Sequence, residues 1–149
     1  MSIVILRGPE QPASQQSQQM PALPPQVLRA LVDRAIAAGT TLAIRSCATE
    51  SELLNAVRIN QQHGAELTLL DPGTCSGSLR LQRTLQACGM RYIEVHDDHP
   101  GALEASLPDQ HGQRLALAQG YGAQSYTLAL SMALEHLGCE EGDAQRVGI

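Results

Sequence analysis

The chain is 149 residues long and 43% apolar, with a formal net charge of −5. That length suits one domain with a substantial buried core, and the acidic balance excludes the basic footprint of a nucleic-acid-binding protein. No apolar run nears the length of a membrane span, and Ile3-Val4-Ile5-Leu6 is too short for a signal peptide and lacks a basic leader.

With no Trp and no Phe, the core must be built from Leu, Ile, Val and Ala. Ile3 to Leu6 reads as a first strand, ended by Arg7-Gly8-Pro9. Residues 10–25 are rich in Gln and Pro and almost uncharged, the composition of a mobile lid-type loop. Gln26 to Ala38 carries Val27, Leu28, Leu31 and Ala35 at helical spacing and stops at Gly39. Thr41 to Arg45 is a second strand. Thr49-Glu50-Ser51-Glu52 is a capping box that launches a helix from Glu50 to Gln62.

A third strand, Leu67 to Leu70, is followed by a helix from Leu79 to Ala87 closed by Gly89. Arg91 to Val95 is a fourth strand running into His96-Asp97-Asp98-His99-Pro100-Gly101. After an irregular stretch come a short fifth strand, Leu115 to Ala118, and a last helix, Ser125 to Leu137. Strands alternating with helices predict an α/β three-layer sandwich on a parallel sheet. Right-handed crossovers favour the flavodoxin-like strand order 2-1-3-4-5. One domain is expected over 1–137, with a polar tail over 138–149.

The turn after the third strand organises this scheme. Leu67-Thr68-Leu69-Leu70 reads as a strand buried on both faces. Asp71-Pro72-Gly73 then breaks it, and Thr74, Ser76 or Ser78 can cap the helix behind. In the chosen order strands 1, 3 and 4 are consecutive. Their carboxyl ends, where ligands bind in such sheets, bring Arg7, Asp71 and His96 to one crevice, a place for a small-molecule ligand. The backbone N–H groups of Gly73 to Ser78 offer an anion site there, against ordinary helix capping.

Five segments in this order resemble the type II 3-dehydroquinate dehydratases. They are Ile3 to Pro9 (family pattern near L-N-G-P-N-L-N), Arg45 to Leu54 (near R-Q-S-N-S-E-G-E-L-I), Asp71-Pro72-Gly73 (N-P-G), Ile93 to His96 (I-E-V-H) and Gly122 to Tyr126 (G-A-Q-G-Y). The resemblance implies a flavodoxin-like fold and trimers gathered into a dodecamer. It also implies a hydro-lyase in which a lid tyrosinate, its pKa lowered by a lid arginine, removes a proton and a histidine protonates the departing hydroxyl. Carboxylate recognition would fall to the N-P-G asparagine, backbone N–H groups after I-E-V-H and a nearby serine. Arg45, Glu50 and Glu52 would lie near subunit contacts. No cofactor and no resident metal are expected.

Carried onto this chain, the apparatus is depleted. Between Glu10 and Gln26 there is no Tyr, Arg, Lys or His, and the three tyrosines, Tyr92, Tyr121 and Tyr126, lie elsewhere. Arg7 stands for the first asparagine, Glu10 and Pro12 for the following pair, Asp71 for the N-P-G asparagine and Asp98 for the serine. His96 alone remains, as residual general acid. The ligand-contacting positions are then Arg7, Asp71, Gly73, Asp97 and Asp98. A carboxylate placed ~4 Å from a substrate carboxylate costs about 4 kcal/mol at an effective dielectric of ~20. Arg7 could offset this by pairing with Asp71, which would fill the site with an internal ion pair.

The expectation is a cytoplasmic dehydroquinase homologue with lost or strongly reduced activity and a retained oligomeric binding scaffold. The alternative is an active divergent lyase on 3-dehydroquinate or another small polyhydroxylated compound, with His96 as acid. A purely structural oligomer is the third reading. Two lesser possibilities accompany these. His96, Asp97, Asp98, His99 and Asp71 could hold a divalent or organic cation, against a plain solvated loop. Cys75 at a helix N-terminus could be activated, against the inert thiols that Cys47, Cys75, Cys88 and Cys139 suggest without C-x-x-C spacing. His111 and His136 read as surface residues.

Overall fold

The computed structural model describes residues 1–10, 18–19, 21–98, 105–108 and 113–138. Its main sheet has five parallel strands: β1 (Ser2–Arg7), β2 (Thr41–Ser46), β3 (Leu67–Asp71), β4 (Tyr92–Val95) and β5 (Arg114–Ala118). In chain order they lie 2-1-3-4-5, the flavodoxin-like arrangement. Four helices connect or follow them: α1 (Pro25–Ala37), α2 (Glu50–His63), α3 (Leu79–Cys88) and α4 (Gln124–Leu137). None of the described helices is long and apolar enough to cross a membrane.

The strand period of two decides what each face carries. Ile3 and Ile5 of β1, Leu67 and Leu69 of β3, and Ile93 and Val95 of β4 join Val27, Leu31 and Ala35 of α1 and Tyr126, Ala129 and Leu130 of α4 in one core. Leu6, Leu70 and Tyr92 face the other way, into a second core with Leu53, Leu54 and Val57 of α2 and Leu81 and Leu85 of α3. These are the two apolar layers of a three-layer sandwich.

Local chemistry sets the helix ends. Pro25 occupies the first turn of α1, where its missing N–H costs nothing. The capping box forms at α2: the Glu52 N–H donates to Thr49 Oγ1 at 3.1 Å, and the Glu52 carboxylate reaches back to the Ala48 N–H at 2.8 Å. Ser78 caps α3 through the Leu81 N–H and donates its hydroxyl proton to Glu50 of α2. The capping at α2 and α3 therefore links the two helices.

The residues expected to form a lid enter the structure only in part. Pro9–Glu10 pairs antiparallel with Gln18–Gln19 in a two-residue ribbon. The remainder of that segment, 11–17 and 20, and the tail from 139 lie outside the described residues. Gly8 joins the ribbon to the sheet and sits where a Cβ would be 2.3 Å from the Pro72 carbonyl oxygen. Its N–H donates to the Asp71 carbonyl at 2.7 Å. The ends of β1 and β3 are thus drawn together at the point where only glycine fits.

Candidate active site

Arg7 and Asp71 close β1 and β3 in directly paired register. By strand parity both side chains follow Ile5 and Leu69 toward the layer that holds α4. Arg7 is 2% exposed, and Asp71 and Tyr126 are fully buried. Among the described residues the two charged groups make no direct ion pair, which corrects the sequence expectation. The Tyr126 hydroxyl stands between them: it accepts from Arg7 Nε at 3.1 Å and donates to Asp71 Oδ2 through a short hydrogen bond. The guanidinium carbon lies 5.4 Å from the Tyr126 ring centroid, within cation–π range. Arg7 Nη1 also donates to the Pro21 carbonyl at 2.9 Å, tying the start of α1 to the site.

Tyr126 is the residue that sequence reasoning missed. The sequence puts it in the last helix, away from the lid segment, yet its hydroxyl reaches Arg7 and Asp71 at the carboxyl ends of β1 and β3. Its helical position hid this, because its reach depends on how α4 packs on the sheet. Burial drives its pKa well above the ordinary tyrosine value, with the Asp71 charge adding to the rise and Arg7 opposing it. It is held as a neutral donor, the opposite of an activated tyrosinate.

Burial likewise pushes the Asp71 carboxyl up to about 7, opposed by the hydrogen bonds from Tyr126 and the Gly73 N–H and increased by Asp97. The Gly73 N–H donates to Asp71 Oδ1 at 3.0 Å, and the Cys75 N–H bonds the Pro72 carbonyl. The Ser78 N–H bonds the Cys75 carbonyl, so three of the turn's six N–H donors are used internally. Cys75 falls in the single 3₁₀ turn Gly73–Gly77 rather than at the start of α3, and burial raises its thiol pKa. It carries no sign of activation. Cys47, Cys75 and Cys88 are all unpaired thiols.

His96 follows the other parity. It is fully buried, and its Nε2 lies 2.5 Å from Glu94 Oε2 on the preceding in-phase residue. Glu94 also accepts from the Leu107 N–H at 2.9 Å and from Arg114 Nη1 at 3.1 Å, while Arg114 Nη1 donates to the Leu107 carbonyl at 2.8 Å. The imidazole is therefore oriented by a buried carboxylate that is itself neutralised by an arginine, the support a general acid or base needs. The carboxyl ends of β1, β3 and β4 do converge, and His96 is near enough to lower the Asp71 pKa. The side chains nevertheless separate into two clusters.

Asp97 and Asp98 also divide. Asp98 Oδ1 accepts from the Gly120 N–H at 2.8 Å, and its carbonyl from the Gly122 N–H at 2.7 Å, so it fastens the turn before α4. Asp97 instead lines a cavity of about 320 Å³ with Glu10, Gly73, Thr74 and Ser76. Among the described residues, two carboxylates and no cationic side chain line this space, the wrong sign for a carboxylate ligand. No three potential metal-ligating groups gather among the described residues. Asp71 and Asp98 are engaged by protein donors and His96 by the Glu94 carboxylate, while His99 and His111 lie outside the described residues. His136 is exposed in the last turn of α4.

No family model matches the chain. A 3-dehydroquinate dehydratase of Xanthomonas oryzae is 32% identical over 121 residues, covering 77% of this chain and 80% of the relative. The chain belongs to the type II 3-dehydroquinate dehydratase family. A 3-dehydroquinate dehydratase of Xylella fastidiosa is 30% identical over 122 residues, covering 78% of this chain and 80% of that protein. Among solved structures, the type II dehydroquinases of Butyrivibrio crossotus and Propionibacterium acnes superpose with TM-scores of 0.67 at 14% and 17% identity. They cover 89% and 90% of this chain and 96% of their own chains, which supports the same dehydroquinase fold.

Proposed function

We propose that this chain is a dehydroquinase homologue whose dehydratase activity is lost or strongly reduced, kept as a cytoplasmic, oligomeric binding scaffold. The observation that carries the reading is the Tyr126 bridge between Arg7 and Asp71. The positions matching two family asparagines, the second of them a carboxylate-recognition residue, are spent on an internal hydrogen-bonded chain. The acidic cavity beside them supports the same reading, as does the lack of Tyr and Arg between Glu10 and Gln26. A positioned general base contributes roughly 10²–10⁴-fold, so losing it together with carboxylate recognition leaves little turnover. The unpaired thiols fit a reducing compartment, and the assembly we propose is the trimer-based dodecamer of the resemblance.

A second reading rests on the His96–Glu94–Arg114 cluster. An imidazole held this firmly would serve an active lyase on 3-dehydroquinate or another small polyhydroxylated compound. Turnover of 3-dehydroquinate, followed by the ultraviolet absorbance of the enone product beside an active family enzyme, separates the two. We expect no rate above background. A rate that disappears in His96→Ala would establish the lyase and end the scaffold reading.

A further inference from the structure

Helix α1 spends one apolar stripe, Val27, Leu31 and Ala35, on its own core. It carries a second. Leu28, Val32 and Ile36 are 40%, 40% and 69% exposed, and they are three of the six large hydrophobics left exposed among the described residues. Their spacing puts them in one i, i+4, i+8 row, the ridge by which helices pack on each other. An aligned exposed row of this kind marks an interaction surface, whereas scattered apolar residues do not.

Arg29 and Asp33 run along one flank of the row. Among the described residues neither makes an ion pair or a side-chain hydrogen bond, although each is one helical turn from the other.

We propose that this row binds α1 of a second copy of the chain, antiparallel, about a two-fold axis at Val32. A two-fold contact sets Leu28 against Ile36 of the second copy and Val32 against itself. In an antiparallel pair the same flanks face each other, so Arg29 of each copy comes beside Asp33 of the other. The face therefore complements itself in both shape and charge. The contact lies on α1, away from the cavity at the strand ends, and holds whether or not the cleft turns over substrate.

Cysteine cross-linking tests the register, in a background with Cys88 and Cys139 changed to Ser. Val32→Cys is expected to form a disulfide-linked dimer by itself. Leu28→Cys and Ile36→Cys are expected to link to each other when mixed, more than either links to itself. Self-linking of Leu28→Cys above that mixture, or no Val32→Cys dimer, overturns the arrangement. Charge reversal tests the flank by sedimentation: Arg29→Asp should weaken association about tenfold or more, and Arg29→Asp/Asp33→Arg should restore it. The substituted α1 positions are all exposed, and circular dichroism checks that every variant is folded. A wild-type chain that stays monomeric, or a mass unmoved by Arg29→Asp, refutes the proposal.

Discussion

Two buried polar clusters meet the carboxyl end of the sheet from opposite faces, and they have been treated differently. On the face covered by α1 and α4, Tyr126 bonds both Arg7 and Asp71. On the other face, Glu94 holds His96, with Arg114 and the Leu107 N–H completing its shell. The first cluster, at positions where the resemblance implies substrate contacts, turns inward. The second holds a buried histidine against a carboxylate that also pairs with Arg114. The difference teaches that polar groups gathered at one end of a sheet can be partnered in two separate sets, because the two are built on different strand parities.

The comparison breaks most severely at Glu94. Glu94→Ala leaves a part-buried guanidinium, a buried N–H and a buried imidazole without their common acceptor. Breaking a buried pair in this way costs about 3–5 kcal/mol, to be read from the urea midpoint. A loss below 1 kcal/mol would mean that water replaces the carboxylate and that the histidine is not rigidly held.

Asp71 sharpens the comparison through pH. Its folded pKa of about 7 stands above the ordinary carboxyl value of 3.8 because burial disfavours the charge. Below about pH 4 folded and unfolded chains both hold the proton. Between about 4 and 7 the unfolded chain releases it first, so stability falls as pH rises and then levels off. The full change is on the order of 4 kcal/mol at ~1.4 kcal/mol per pKa unit. Asp71→Asn should remove this slope, matching wild type near pH 4 and exceeding it at pH 8. Parallel curves for the two proteins would place the ionisation elsewhere.

Tyr126→Phe is the mildest of the three. It keeps the ring and its packing but deletes the hydroxyl that both Arg7 and Asp71 use, at a cost of about 1–3 kcal/mol. Thermal unfolding of Tyr126→Phe and Asp71→Asn, singly and together, measures their coupling. Strict additivity would deny that the three residues act as a chain.

Much of the architecture was legible because it rests on local pattern. Apolar runs bounded by Pro and Gly marked the strands, and Thr49 with Glu52 announced the start of α2. Handedness of the crossovers then led to the 2-1-3-4-5 order. Placement of Arg7, Asp71 and His96 at strand ends followed from the same reading. Side-chain partners did not follow. Neighbouring strands allow Arg7 and Asp71 to pair directly, but Tyr126, 119 positions from Arg7 in sequence, enters between them. Asp98 was expected to face a ligand and instead binds Gly120, a role that adjacent sequence does not advertise.

The sequence by itself determined the elements, the fold class and the family, since these depend on periodicity, turn chemistry and ordered motifs. It also determined the absence of a tyrosine or arginine between Glu10 and Gln26. Only the tertiary structure decided which polar groups satisfy each other. Buried donors and acceptors must find partners, and the partner within reach depends on the packing of α4 over the sheet. Strand parity, repeated over three neighbouring strands, then sorted Arg7 and Asp71 to one face and Glu94 and His96 to the other.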